Sequence, residues 1–178
     1  ESERMNTGHT TLQRSPVDLK GMLESLLANE FAGKEERIRL LLPEGPVVRE
    51  VDNVRLRLVA RNLIDNALRY TPEPSPPVEV NLAVVPGAVV LTVRDFGPGI
   101  PRENLARVSQ PFYRADPARS RTTGGFGLGL YLCRRITEAH RGTLAIDSEP
   151  GRGTVVTVTI PDFAAPKAPG VPAATVSS

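Results

Sequence analysis

The feature that most constrains this chain is a pair of glycine-rich turns at the two ends of a long connection. The first, Asp95-Phe96-Gly97-Pro98-Gly99-Ile100, follows an apolar strand pattern, Val89-Val90-Leu91-Thr92-Val93. The second, Gly124-Gly125-Phe126-Gly127-Leu128-Gly129-Leu130, opens a helical pattern that runs to His140. Together they describe a nucleotide site. The first turn offers one buried carboxylate beside backbone that a ligand can approach closely, and the second offers bare N–H groups at a helix N-terminus, where phosphate binds well. Neither turn is specific alone. The second has neither the Gly-x-Gly-x-x-Gly spacing of a dinucleotide fingerprint nor the Gly-Lys-Ser/Thr of a P-loop.

A chain of 178 residues suits one domain with a real core. A net charge of +2 does not argue for nucleic acid or a membrane surface as partner. Only three of its 22 basic residues are lysine, Lys20, Lys34 and Lys167, and the arginines gather locally only at Arg114, Arg119 and Arg121. The single cysteine, Cys133, excludes an internal disulfide and fits a reducing compartment. There is no zinc-type spacing, no apolar run near the roughly 20 residues of a membrane span, and no signal-peptide pattern. The opening Glu1-Ser2-Glu3-Arg4 reads as the interior of a longer protein.

Residues 1–14 read as a linker or the end of a preceding helix, and Ser15 to Leu19 as a short extended lead-in. Asp18 or Ser15 then caps a helix over 19–32, with Leu19, Met22, Leu23, Leu26 and Leu27 on one face and Gly33 ending it. A short strand is expected at 38–42 and a turn at 43–46. Asp52 caps the clearest helix, 53–70, whose apolar stripe is Leu56, Val59, Ala60, Leu63 and Ala67. Asn62, Asn66 and Arg69 form a polar line along the edge of that stripe, with Tyr70 beside them. Residues 71–77 carry four prolines and must be loop. Strands at 78–85 and 88–94 form a hairpin about Pro86-Gly87. A short helix with Pro101 in its first turn, a long loop over 109–125, a helix over 127–140 with Leu128, Leu132, Ile136 and Ala139 on one face, and strands at 144–146 and 154–160 follow. The residues beyond Pro161 read as a disordered Pro/Ala/Ser tail. The pattern is α/β, with a mostly antiparallel sheet covered by helices on one face.

Each chemical feature has an ordinary alternative. Amide oxygens of Asn62 and Asn66, one turn apart, suit Mg²⁺ held mainly by phosphates, but an Asn pair more often satisfies a core or a cap. Asp95 can accept from an exocyclic amine such as adenine's, or can bind its own turn backbone. Arg114, Arg119 and Arg121 can close on phosphate or simply be solvated. Cys133 reads as core packing and His140 as a helix C-terminal residue. Neither His140 nor His9 has a base or metal spacing around it.

The ordered set resembles the catalytic and ATP-binding domain of bacterial sensor histidine kinases, in the superfamily shared with gyrase, a heat-shock chaperone and mismatch-repair ATPases. Asn62-Leu63-Ile64-Asp65-Asn66-Ala67-Leu68-Arg69-Tyr70-Thr71-Pro72 is similar to the N box, and Asp95 to Ile100 to the G1 box. Pro111-Phe112-Tyr113-Arg114 is similar to the F box, and Gly125 to Leu130 to the G2 box. His140-Arg141-Gly142-Thr143 and the run from Ser148 to Thr154 are similar to the family's closing hairpin.

The resemblance implies a two-layer α/β sandwich of the Bergerat type: a mixed, mostly antiparallel sheet with three main helices on one face, spanning 15–160. It implies ATP and Mg²⁺ as ligands. Asp95 would bind the adenine amine, helped by a water near Thr154. Asn66 would ligate the metal with Asn62 beside it, Arg69 would meet phosphate, and Tyr70 would stack near the nucleoside. Gly97, Gly99, Ile100, Phe112, Gly125, Gly127, Leu128, Gly129 and Leu130 would line the nucleotide, with 101–125 as its lid and Arg114 steadying the γ-phosphate.

Asn62 stands where the superfamily's ATPases carry a Glu that activates water. An amide cannot take that proton, so phosphoryl transfer to a histidine is favoured over hydrolysis. No His here has the family's phospho-acceptor context. The acceptor is therefore expected on a separate dimerisation domain, with a response-regulator receiver domain as next partner and this chain itself monomeric. The resemblance places it as the cytoplasmic portion of an inner-membrane sensor. The competing expectations are an ATP-binding regulator, a serine kinase or an ATPase of the same fold, or a nucleotide-dead interaction module.

Overall fold

The computed structural model describes residues 11–108, 110 and 129–163. The described elements begin with strand β1 (Ser15–Asp18) and helix α1 (Leu19–Glu30). Asp18 caps α1: its Oδ1 accepts from Lys20 N at 3.2 Å and also from Val47 N at 2.9 Å. One carboxylate thus starts the helix and fastens it to a distant loop. Gly33 follows with φ +81°, a left-handed position that glycine adopts without strain.

A 3₁₀ turn (Glu35–Arg37) leads into β2 (Ile38–Leu41), and β3 (Val48–Val51) follows. Helix α2 (Asn53–Tyr70) has the expected bounds, with Asp52 Oδ1 accepting from Arg55 N at 3.1 Å as its N-cap. Its far end is closed by Arg37, whose guanidinium donates to the carbonyls of Leu68 and Thr71 at 3.3 and 2.9 Å, two of the last-turn acceptors a helix leaves unpaired. Strands β4 (Val78–Val85) and β5 (Ala88–Arg94) form the expected hairpin. A single helical turn, α3 (Arg102–Leu105), helix α4 (Gly129–Ala139) and the hairpin of β6 (Thr143–Glu149) and β7 (Gly153–Pro161) complete the described order.

The main sheet runs β2-β4-β5-β7-β6; β2 is parallel to β4 and every other pairing is antiparallel. Helices α1, α2 and α4 pack on one face, as expected for a two-layer sandwich. Alternation decides the buried side of each strand: Val78, Val80 and Leu82 point into the core while their neighbours do not. Against them lie Leu23 and Leu26 of α1 and the expected stripe of α2, widened by Ile64 and Leu68.

Two features differ from the sequence pattern. β1 and β3 pair antiparallel into a separate two-stranded sheet. The Val-Arg-Glu-Val of β3 has no periodicity to announce it; its order comes from a partner some thirty residues away. The buried face of α4 is Cys133, Ile136 and Thr137, continued by His140, whereas Leu132 is 39% exposed and Ala139 is exposed. The polar members of that face are satisfied locally. Thr137 Oγ1 donates to Cys133 O at 2.7 Å, and His140 Nδ1 meets Ile136 O at 2.8 Å. Their polarity therefore does not oppose burial.

Candidate functional site

Strand β5 ends at Arg94 and delivers Asp95 to the rim of the sheet, where it is only 8% exposed. Its backbone N–H donates to Thr154 O at 2.9 Å, which continues the pairing with β7. Its side-chain Oδ1 accepts from Gly97 N at 2.9 Å and from Thr154 N at 3.2 Å. Among the described residues no hydrogen bond falls on Oδ2. Burial pushes the carboxyl pKa above its ordinary value, and the two backbone donors pull it back. A buried carboxylate with one oxygen engaged and the other open is a fixed acceptor that a ligand's N–H can satisfy.

The glycines of this turn serve the chain's own packing. A Cβ on Gly97 would strike the carbonyl oxygen of Tyr70, and one on Gly99, at φ +75°, would strike that of Glu149. The turn is thus pressed between the end of α2 and the β6–β7 hairpin. Four hydrogen bonds hold it there: Phe96 N to Thr71 Oγ1 at 3.3 Å, Gly151 N to Pro98 O at 2.8 Å, Ile100 N to Ser148 Oγ at 2.7 Å, and Asp95 N to Thr154 O. The space that sequence reasoning left open for a ligand is, at these two positions, filled by backbone. Thr71 and Ser148 stand inside the motif-like stretches, yet nothing local to them signals these partners. Gly129 is the contrast: a Cβ there would meet no described atom within 4 Å.

On α2, Asn62 and Asn66 are half-buried along the edge of the apolar stripe, as expected, and Tyr70 is 46% exposed at the helix end. The thiol of Cys133 on α4 donates to the Val59 carbonyl of α2 at 3.8 Å, with the Asn62 side chain acting on the same thiol. Burial drives that thiol's pKa up to about 12, against the opposing pull of Asn62, so Cys133 is inert packing and not a nucleophile. Arg69 is engaged by Asp65, Nη2 to Oδ2 at 2.8 Å one turn back. This is a partly exposed pair, worth about 0.3–0.5 kcal/mol at most, so it yields readily to a better anion. Asp95, Gly97, Thr154 and, through Ser148, Ile100 are brought into one hydrogen-bonded group, while Gly99 packs against the Glu149 carbonyl and Gly97 against the Tyr70 carbonyl of α2. Leu130 packs half-buried against the core. Phe112, Arg114, Arg119, Arg121, Gly125, Gly127 and Leu128 lie outside the described residues.

Residues 51–163 match the family model described as histidine kinase-, DNA gyrase B-, and HSP90-like ATPase. The chain belongs to this family. It is 36% identical over 166 residues to the sensor histidine kinase MtrB of Mycolicibacterium paratuberculosis, an alignment covering 90% of this chain and 29% of that protein. The chain therefore spans about three tenths of the length of this curated relative. Among solved structures, the mycobacterial sensor histidine kinase MprB superimposes with a TM-score of 0.67 at 28% identity, covering 84% of this chain and 97% of that one. Full-length ShkA in complex with AMPPNP gives 0.69 at 26% identity over 86% of this chain and 32% of that one.

The donor set of this histidine kinase-like domain can be tested against a metal. Among the described residues no group of three or more His, Cys, Asp or Glu is placed to hold an ion. The oxygen donors at the edge of the α2 apolar stripe are the neutral amides of Asn62 and Asn66. Neutral oxygen donors in small number fit a Mg²⁺ whose remaining ligands are phosphate oxygens and water. They do not fit a dedicated protein cage. Among the described residues no helix is long and apolar enough to cross a membrane.

Proposed function

We propose that this domain binds Mg-ATP and presents the γ-phosphate for transfer to a histidine carried on a separate dimerisation domain, as the catalytic part of a two-component sensor histidine kinase whose receiver-domain partner takes the phosphate next. The observation that carries the reading is the Asp95 carboxylate: Oδ1 locked by Gly97 and Thr154, Oδ2 left as an open acceptor on a residue only 8% exposed. Family membership supports the fold-level part.

In this reading Asp95 accepts from the adenine amine, and Thr154, Gly97, Gly99 and Ile100 shape the base pocket. Asn66, with Asn62 beside it, offers an amide oxygen to the metal. Arg69 exchanges Asp65 for phosphate, Tyr70 flanks the nucleoside, and Gly129 and Leu130 open the phosphate-binding helix. Phe112, Arg114, Gly125, Gly127 and Leu128 complete the site from 101–125 and the turn behind it. Bound Mg²⁺ neutralises phosphate charge. The domain's own share is positioning and exclusion of hydrolysis, because Asn62 cannot deprotonate water. Residues 15–160 act as this unit, placed on the cytoplasmic side of its membrane-bound parent.

The test is calorimetric titration with ATP, with and without Mg²⁺, on the native chain and on Asp95→Asn. The amide keeps an oxygen for Gly97 N and Thr154 N but sets an N–H against the adenine amine. Binding is expected to fall at least tenfold with the fold intact. Asp95→Ala is the poorer variant, since it also orphans two buried backbone donors. Undiminished binding by Asp95→Asn would overturn the site. Supplying a histidine-bearing domain should then yield acid-labile, base-stable phosphohistidine; phosphoserine would overturn the transfer step.

A further inference from the structure

Ser148 has no part in the reading above, yet its hydroxyl is the most heavily used in the described hydrogen bonds around the site. It lies on β6 directly opposite Thr154 on β7. Its Oγ meets three groups: Ile100 N at 2.7 Å, Gly153 O at 3.0 Å and Thr154 Oγ1 at 2.9 Å. A hydroxyl has one hydrogen and two lone pairs. The hydrogen goes to the Gly153 carbonyl, which can only accept. One lone pair receives the Ile100 N–H, which can only donate. The remaining contact is then donated by Thr154, into the second lone pair of Ser148.

That assignment has a consequence for the base pocket. Thr154 has spent its only hydrogen on Ser148, so toward its other side it shows lone pairs alone. Its backbone N–H is already bonded to Asp95 Oδ1, so the Thr154 hydroxyl is carried on the same residue that fixes the Asp95 carboxylate. The pocket wall carries acceptors at both places. An amine edge matches it; a base with an oxygen at the same place sets acceptor against acceptor, and a buried mismatch of that kind discriminates strongly.

We propose that Ser148 is a specificity-determining residue, which selects 6-amino over 6-oxo purine nucleotides by holding the Thr154 hydroxyl as an acceptor. Ser148 acts through Thr154 and touches no ligand itself. The inference rests on the adenine reading of Asp95.

The experiment compares ATP with inosine triphosphate, which differs at the base edge, by calorimetry on this chain. The native chain is expected to prefer ATP. Ser148→Ala frees the Thr154 hydrogen to meet the 6-oxygen, and the ATP-to-ITP affinity ratio should fall roughly three- to tenfold. Ser148→Thr keeps a hydroxyl and should keep the native ratio. In a Thr154→Val background, Ser148→Ala should leave the ratio unmoved. An equal loss for both nucleotides in Ser148→Ala would show a merely structural role and overturn the proposal. So would a changed ratio in the Thr154→Val background. Either result alongside Asp95-dependent ATP binding overturns this inference alone, whereas ATP binding untouched by Asp95→Asn overturns the reading beneath it.

Discussion

The backbone N–H of Asp52 donates to Nε2 of His140 at 3.1 Å, across 88 positions of sequence. The ring must be neutral and carry its proton on Nδ1, which gives it to Ile136 O at 2.8 Å. His140 is only 1% exposed. It thus joins the end of α4 to the N-cap of α2, and Asp52 Oδ2 extends the chain of bonds to Gln13 N at 3.0 Å. The two helices that border the candidate site are therefore fastened together at their far ends by a buried titratable ring.

Burial holds the His140 pKa below its ordinary value; Arg14 and Arg55 act in the same direction, while Ile136 and Asp52 act against it. The unfolded chain therefore takes up the proton first as pH falls. The stabilisation is complete above the unfolded histidine value of about 6.5 and is lost progressively below it, down to the depressed folded value. Urea unfolding between pH 7.5 and 5 should show stability declining through this window. His140→Ala should lower stability by roughly 2–5 kcal/mol at pH 7.5, by cavity formation and loss of the acceptor, and should flatten the decline. A native domain that grows more stable on acidification from pH 7 would refute the neutral, buried assignment.

Gly97 and Gly87 separate two reasons for glycine. At Gly87, φ is +75° and a Cβ would meet nothing within 4 Å; at Gly97 a Cβ would hit the Tyr70 carbonyl. Gly87→Ala should cost about 1–2 kcal/mol of backbone strain and leave ATP affinity unchanged. Gly97→Ala should cost about 1–3 kcal/mol by overpacking and also displace Asp95, so that ATP binding is lost. Thermal melts paired with ATP titrations check both. Full affinity in Gly97→Ala would show that the turn is not held by that contact.

Arg141 terminates α4 with φ 59°, the left-handed position usually given to glycine. Arg141 N donates to Glu138 O at 2.8 Å and Gly142 N to Thr137 O at 2.9 Å, the paired bonds of a Schellman motif. Arg141→Gly relieves the left-handed cost but adds freedom to the unfolded chain, so a net gain of about 0.5–1 kcal/mol is expected. Urea midpoints read it directly; a loss of stability would mean that the exposed guanidinium matters more than the backbone strain.

What the sequence determined by itself is local and periodic. The Asp52 cap with an amphipathic stripe after it sets α2 to the residue, and alternation broken at Pro86-Gly87 sets the β4–β5 hairpin. The order of the Asn62, Asp95 and Gly129 motifs points to the family, because each motif is a short contiguous pattern legible without knowledge of its distant partners. The tertiary structure decided what depends on partners far along the chain. β3 exists only through β1. The buried face of α4 takes Cys133, Thr137 and His140 over Leu132, because hydrogen bonds within the helix and to α2 remove the cost of their polarity. Gly97 and Gly99 yield to the carbonyls of Tyr70 and Glu149. Ser148 and Thr71 acquire roles only when the β6–β7 hairpin and the end of α2 close on the turn. Periodicity records which face of an element is apolar; it cannot record which distant backbone group will need a donor, an acceptor or an empty space.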